Sequence, residues 1–523
     1  MKTKLFLTAL TLVGASLASA QTQLGPVITQ DTTLPAGSEW LIDGVTYVAP
    51  GATLTIEPGV TVYAEDAAAA AASALIVTSG ATINAVGTPD NPIVFTSVQA
   101  QTVALDHNDV SLWAGIILLG DALINADATG VDNVANPELV LTNQIEGLDP
   151  IGRHSLDIAT ETAYLTYGGT NDGHSAGSMQ YVSIRHTGIS LTGEDGDEIQ
   201  GLTLGGVGSG TILENIEIFV SGDDGIEIFG GAANLKNIVL AYAEDDTLDL
   251  DQGYRGLGQN IVVIQNAFQD LFGTSRDGDS GGEWDGADSP ETNTPAALGI
   301  FSNMTFVSNA PGSGRALRIR NGGANQVWNS VFLDYAEWLQ FDNKPENNIV
   351  QDAVQSGTSA FVGNIITSDT STSIDSVLID ANDFSGVDAV AIIGDAANKN
   401  MVVTDAGYTV TRGAGGKVTL SGPSASSPAL DSNNVVALPN NGFFTAVNYV
   451  GAFDGTISWA AWTFSAKNGY LSVPGYIDTE LLGFVYVVDG MLGPNQWVFS
   501  ASLGKYIYIA SDDIGGSWVY IPN

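Results

Sequence analysis

Two acidic runs are the residues best placed to do chemistry. Asp223-Asp224-Gly225-Ile226-Glu227-Ile228 is followed 22 residues later by an equivalent Asp pair within Glu244-Asp245-Asp246-Thr247-Leu248-Asp249-Leu250-Asp251. If that interval is one coil of a solenoid, equivalent carboxylates stack at ~4.8 Å, the spacing of neighbouring strands. At that distance they repel, unless a cation or an arginine bridges them or one takes up a proton. Alternation along the strand sends Ile226, Ile228, Leu248 and Leu250 inward and Glu227, Asp249 and Asp251 outward. Leu317-Arg318-Ile319-Arg320 aligns to the same strand and sets Arg318 and Arg320 on the same face some coils along. Three chemistries fit this stripe. Calcium, a hard cation that takes several oxygens, would be held by Asp223, Asp224, Asp245, Asp246, Asp249 and Asp251. Acid/base cleavage of a glycoside would use a pair among Asp223, Asp224, Asp245, Asp246 and Asp249, with Arg318 or Arg320 holding an anionic sugar. The third is a solvated face that the arginines balance without any ligand.

A further acidic stretch, Asp277-Gly278-Asp279-Ser280-Gly281-Gly282-Glu283-Trp284-Asp285-Gly286-Ala287-Asp288, resembles a calcium loop. Asp277, Asp279, Asp285 and Asp288 stand at ligand positions and Gly282 at the turn position. Gly281 offers no side-chain ligand, and Asp288 is shorter than the usual Glu. Glu194-Asp195-Gly196-Asp197-Glu198 is a weaker acidic cluster of the same kind. The histidines, His107, His154, His174 and His186, have no close zinc-ligand spacing, and His186 at a strand end reads as a surface or turn residue. Gly205-Gly206-Val207-Gly208-Ser209-Gly210 lacks the lysine and following helix of a phosphate loop.

The elements that must position these groups are short strands. From Gln21 to about Thr96, runs such as Ala52-Thr53-Leu54-Thr55-Ile56 alternate apolar and polar residues between Gly, Pro and Asp breaks. In the middle, Asn215-Ile216-Glu217-Ile218, Asn237-Ile238-Val239-Leu240 and Asn260-Ile261-Val262-Val263 repeat at 22 and 23 residues. Asn303 and Asn329 continue the series. A helix-free repeat of this length predicts stacked coils of a right-handed parallel β-helix, with the recurring Asn forming a ladder at the turns. Phe443-Phe444, Tyr449 to Phe453, Trp459 and Trp462 read as a large-residue plug closing the solenoid end. From Lys467 an aromatic-rich chain predicts a small antiparallel β module serving as cap, carbohydrate-binding patch or sorting signal. The expected division is thus a leader over 1–20, a β-helix over 21–466 and the module over 467–523.

Composition narrows the partners. The 523 residues carry 16 Lys+Arg against 58 Asp+Glu, a formal net charge of −42, which repels phosphate backbones and anionic lipids. Nucleic acid is excluded as a partner on that ground, and divalent cations and neutral or cationic polymers are favoured. There are no cysteines, so disulfides, thiolate metal sites and a cysteine nucleophile are ruled out. Lys2 and Lys4, the apolar Leu5 to Leu17 and Ala18-Ser19-Ala20 form a signal-peptide pattern with cleavage after Ala20. No later run is apolar for the ~20 residues of a membrane helix. Export, to the medium or the outer cell surface, is the expectation.

Several phrases resemble a large family of uncharacterised exported bacterial β-helix proteins: Trp113 to Gly120, Ile145-Glu146-Gly147, Tyr167-Gly168-Gly169, Tyr181 to Gly188, Glu198 to Gly208 and Phe229-Gly230-Gly231. The resemblance covers about residues 30 to 465. It implies export and a β-helix and transfers no catalytic residue. A looser similarity is to polygalacturonase-type, pectin-lyase-like β-helices, through Gly222-Asp223-Asp224 and Arg318-Ile319-Arg320. The Gly-His-Gly and Asn-Thr-Asp elements of those hydrolases are missing. The function these readings favour is a non-enzymatic adhesion, matrix or glycan-binding role with calcium-stabilised acidic coils. The alternative is a hydrolase or lyase acting on an extracellular polysaccharide.

Overall fold

The computed structural model describes residues 21–66, 72–126, 142–189, 199–265, 280–287, 290–344, 347–368, 373–379, 384–456 and 458–472, and five further strands between 476 and 520. The chain winds as a right-handed parallel β-helix. Among the described residues, every pairing between solenoid coils is parallel, within an 11-stranded sheet on one side and a 17-stranded sheet that wraps the other two. Among the described residues, no helix is long and apolar enough to cross a membrane.

Alternation builds the interior. Ile216, Ile238, Ile261 and Met304 stand in register from coil to coil, as do Ile218, Leu240, Val263 and Phe306. On the 11-stranded sheet, Leu204, Ile228, Leu250 and Trp284 do the same. All are sealed from solvent in one continuous apolar cluster. At ~25 cal/mol per Å2 of apolar surface removed from water, such columns hold each coil to the next. No coil could bury its own apolar row alone.

The recurring asparagines turn the corner between the two sides of the larger sheet. Asn215, Asn237, Asn260, Asn303 and Asn329 all have φ between 47° and 60°. Asparagine tolerates this left-handed region better than most residues. The Asn237 amide donates to the Asn215 Oδ1 at 3.2 Å and the Asn260 amide to the Asn237 Oδ1 at 2.9 Å, which is the expected ladder.

Two features differ from expectation. The aromatic segment near residue 440 is no end plug. Two short helices, Ile349–Ser356 and Ala389–Ile393, instead bring Val350, Val354, Ala389 and Ile393 into the interior core at the C-terminal coils. Residues 406–472 turn back and lie along the outer surface of the larger sheet, where they enclose a second apolar cluster. The reason lies in the strands beneath. Phe219, Ala241, Ile264, Val307 and Leu333 form an outward-facing apolar column that water would otherwise meet. This strap contains its own small sheet, in which Thr409–Arg412 pairs antiparallel with Val418–Ser421, and Val418–Ser421 pairs with Leu471–Ser472. The expected border at Lys467 therefore falls inside a packed unit, since Phe464–Lys467 is a helix lying against the solenoid. Beyond Ser472, five strands from Tyr476–Thr479 to Ser517–Tyr520 form an antiparallel meander. The leader pattern over 1–20 lies outside the described residues.

Candidate metal centre

The acidic site sits on the outer surface of the 11-stranded sheet. Strands Ile226–Phe229 and Leu248–Asp251 pair in register, with Glu227 opposite Asp249 and Phe229 opposite Asp251. Leu250 pairs with Trp284, which sets Glu283 and Asp285 alongside Asp249 and Asp251. Arg318 and Arg320 follow in register with Glu283 and Asp285. The alternation read from sequence holds: Ile226, Ile228, Leu248 and Leu250 are in the core, and the carboxylates face away from it. Gly225 lets the turns stack closely, because a Cβ there would stand 2.5 Å from the Thr247 carbonyl oxygen.

Two groups of carboxylates converge. Asp223, Asp224 and Asp245 place ligand oxygens within 4.8 Å of one another, and so do Asp224, Glu227 and Asp249. Asp224 belongs to both. Asp224 and Glu227 are each only 7% exposed, although they point away from the core. The Asp224 Oδ1 accepts the Asp246 backbone N–H at 2.8 Å. Gln200 donates to Asp223 at 3.3 Å and to Glu146 at 3.4 Å, and its own carbonyl accepts the Thr203 hydroxyl at 2.6 Å. Among the described residues, Glu227 Oε2 and Asp249 Oδ1 are buried with no hydrogen-bond donor.

Electrostatics follow from this crowding. Burial, then the neighbouring Asp223 and Asp249, hold the Asp224 carboxyl well above the usual aspartate range. Glu227 is raised by burial and then by Glu146 and Asp249, and Asp249 by burial and then by Asp285 and Asp246. One coil further on, the same stripe carries its own cations. Arg318 reaches Glu283 at 2.7 Å and Asp342 at 2.6 Å, and Arg320 reaches Glu283 at 2.6 Å and Asp285 at 2.7 Å. Asp285 still lies at about 6, raised by burial against the pull of Arg320.

The structure thus brings together Asp223, Asp224, Asp245 and Asp249 from the expected set, with Asp246 and Asp251 beside them. It separates Asp285, Arg318 and Arg320: Asp285 pairs with Arg320, and Arg318 with Glu283 and Asp342. The stretch resembling a calcium loop is a strand from Ser280 to Asp285, because Gly282, Glu283 and Trp284 pair in register with Leu317, Arg318 and Ile319. Its remaining expected ligands, Asp277, Asp279 and Asp288, lie outside the described residues, as does Glu194 to Glu198. His186 lies within the strand Gly177–Thr187 at a left-handed backbone position, with φ 63°, and it is buried rather than on the surface; burial pushes it down to about 4. Sequence reasoning read Glu227 as outward-facing without counting it as a ligand, and it missed Glu146 and Glu283. The signal for Glu283 was its place two residues before Asp285, a pair spaced like Asp249 and Asp251.

The donor set is carboxylate oxygen throughout both groups, which suits calcium and gives a thiophilic or imidazole-seeking metal nothing to prefer. The undonated oxygens of Glu227 and Asp249 are what a cation would satisfy. A family model described as a pectate-lyase like beta helix domain matches residues 26–409, a span that takes in the whole acidic stripe. No curated protein and no solved structure matches the chain.

Proposed function

The chain belongs to the pectate-lyase-like β-helix domain family, and on that premise we propose that it is a calcium-stabilised scaffold outside the cytoplasm that holds an extracellular glycan or surface component without cutting it. The observation that carries this reading is the Asp224–Glu227–Asp249 group: three converging carboxylates, two of them 7% exposed, with oxygens that no donor among the described residues reaches. Asp224, Glu227 and Asp249 would hold the ion, with Asp223 and Asp245 able to take part on the Asp224 side. Calcium would supply charge neutralisation between adjacent coils. The protein's own contribution is a rigid set of oxygens fixed by strand register.

Burial argues against attack on a polymer, since Asp224 and Glu227 are withdrawn from the surface that a chain of sugars would reach. Arg318 and Arg320 are neutralised by Glu283, Asp285 and Asp342, which leaves little charge for an anionic sugar. One observation favours the hydrolase or lyase reading. Carboxyls whose pKa burial and neighbouring carboxylates raise well above the ordinary value are the type of group that serves as a general acid.

The test is calorimetric titration of the mature protein with calcium, paired with melting curves in calcium and in chelator. Binding heat with a raised melting temperature is expected, because a ligand that binds only the folded state stabilises it by mass action. Incubation with neutral and acidic polysaccharides should show retention without released oligosaccharide. An absence of both heat and melting shift removes the calcium assignment, and released oligosaccharide replaces the scaffold reading with the enzymatic one.

A further inference from the structure

The strap over 406–472 lies almost wholly beyond the family match, which ends at residue 409, and is built as a separate layer. Its strands pair only with one another among the described residues. Its contacts with the solenoid run chiefly through side chains. Gln259 exchanges two 2.8 Å bonds with the Thr445 backbone, Asn303 donates to the Tyr449 carbonyl at 3.1 Å, and Asn329 donates to the Val436 carbonyl at 2.7 Å. Removing the strap therefore breaks no ladder bond of the solenoid. The interior core and the apolar layer under the strap are distinct clusters.

One contact differs in kind from the others. Glu217 stands on the outward column of the sheet and is fully buried under the strap. Its two oxygens accept the backbone N–H groups of Phe464 and Ser465, each at 2.7 Å, and the Ser183 hydroxyl at 2.7 Å. Ser183 in turn accepts from Arg185 Nε at 2.7 Å, and the Arg185 guanidinium lies 4.3 Å from the centre of the Phe464 ring. Lys467 of the strap is close enough that Arg185 adds to the effect of burial in lowering its pKa, while Glu217 and Asp90 oppose them. One buried carboxylate thus acts electrostatically on a cation of the solenoid and on a cation of the strap.

We propose that the strap is a latch that releases as a unit from the solenoid, carrying the C-terminal sheet with it, and that Glu217 is its key. With the Glu217 charge present, Arg185 and Lys467 can share the buried interface. Without it, the repulsion between Arg185 and Lys467 loses a buried counter-charge and the Phe464 and Ser465 amides lose their acceptor.

The test uses the full mature chain with a protease site inserted beside the exposed Asp405. After cleavage, the fragment from 406 onward should co-elute with the solenoid on gel filtration. Glu217→Gln should release it at least about tenfold more readily, with the far-ultraviolet β signal of the solenoid unchanged. Adding Lys467→Met to Glu217→Gln should restore retention. Phe464→Ala, a change within the strap, should also loosen the fragment whether or not Glu217→Gln yields folded protein. Retention of the Glu217→Gln fragment equal to wild type overturns the proposal. So does a double variant that stays released, or a Phe464→Ala fragment that binds as tightly as before.

Discussion

Glu227 illustrates what a buried carboxylate does to a fold before any ligand arrives. Its pKa, with those of Asp224 and Asp249, lies above the ordinary value, chiefly because burial disfavours the charged form. A carboxyl whose folded pKa is raised contributes stability below its unfolded pKa and loses it as pH rises through the folded value. In chelator, the melting temperature should therefore climb as pH falls from 8 towards the ordinary carboxyl values of 3.8 and 4.5. Calcium should flatten that slope, because it stabilises the ionised form. Glu227→Gln should raise the melting temperature in chelator at pH 8 and diminish the calcium-induced shift. Melting curves at several pH values check both effects, and a slope of opposite sign in chelator would refute the assignment. Glu161 behaves in the other sense. Burial pushes it up, but hydrogen bonds from Arg153, Tyr47 and the Gly152 and Arg153 backbone bring it below the usual range, so its contribution is lost in acid. At this scale the sequence was legible where strand alternation decides direction, as at Asp249. It was not legible where an acid on the outward face is buried, since nothing in Asp224-Gly225-Ile226 shows that its carboxylate is enclosed.

The corner asparagines are the element that sets the coil. Asn237 combines a φ of 58° with two ladder hydrogen bonds. Asn237→Ala should lose about 2–3 kcal/mol, from the side-chain bonds and the left-handed strain on a Cβ-bearing residue. Asn237→Gly should lose less, because only the bonds are missing. Denaturant unfolding separates the two, and equal losses would show that backbone strain plays no part. The ladder was readable because its 22- and 23-residue spacing leaves a periodic mark. The strap was readable too, from a pattern that was passed over. Ile238-Val239-Leu240-Ala241-Tyr242-Ala243 and Ile261-Val262-Val263-Ile264 are apolar at every position rather than at alternate ones. Such runs mark strands buried on both faces, and the second face needed a cover that only a distant part of the chain could supply.

For the molecule as a whole, solenoid and strap form the stable body and the terminal meander is appended to it. A chain ending at Ser472 should keep the melting temperature of the full protein within about 2 °C, whereas one ending at residue 466 should melt lower. The second truncation removes Tyr470, whose ring packs on Phe219 and Tyr242 and whose hydroxyl meets His107. Equal melting of the two would place the border back at Lys467. The solenoid was legible from periodicity, but the border was not. Aromatic residues on either side of it look alike in sequence, and only their packing separates them.

Because the strap doubles back, the C-terminal sheet leaves the body beside Phe219 and Tyr242, midway along the coils, and not at the last coil. A pull on that terminus would enter the solenoid from the side. Tension would meet the Leu471–Ser472 pairing and the Tyr470 contacts first, then the Glu217 contact, and peel the strap contact by contact, and the strand ladders would not be drawn apart along the axis. Residues 409–472 would pay out roughly 200 Å of slack while every coil stayed wound, so a molecule held by its tail could lengthen under load and keep its acidic face intact.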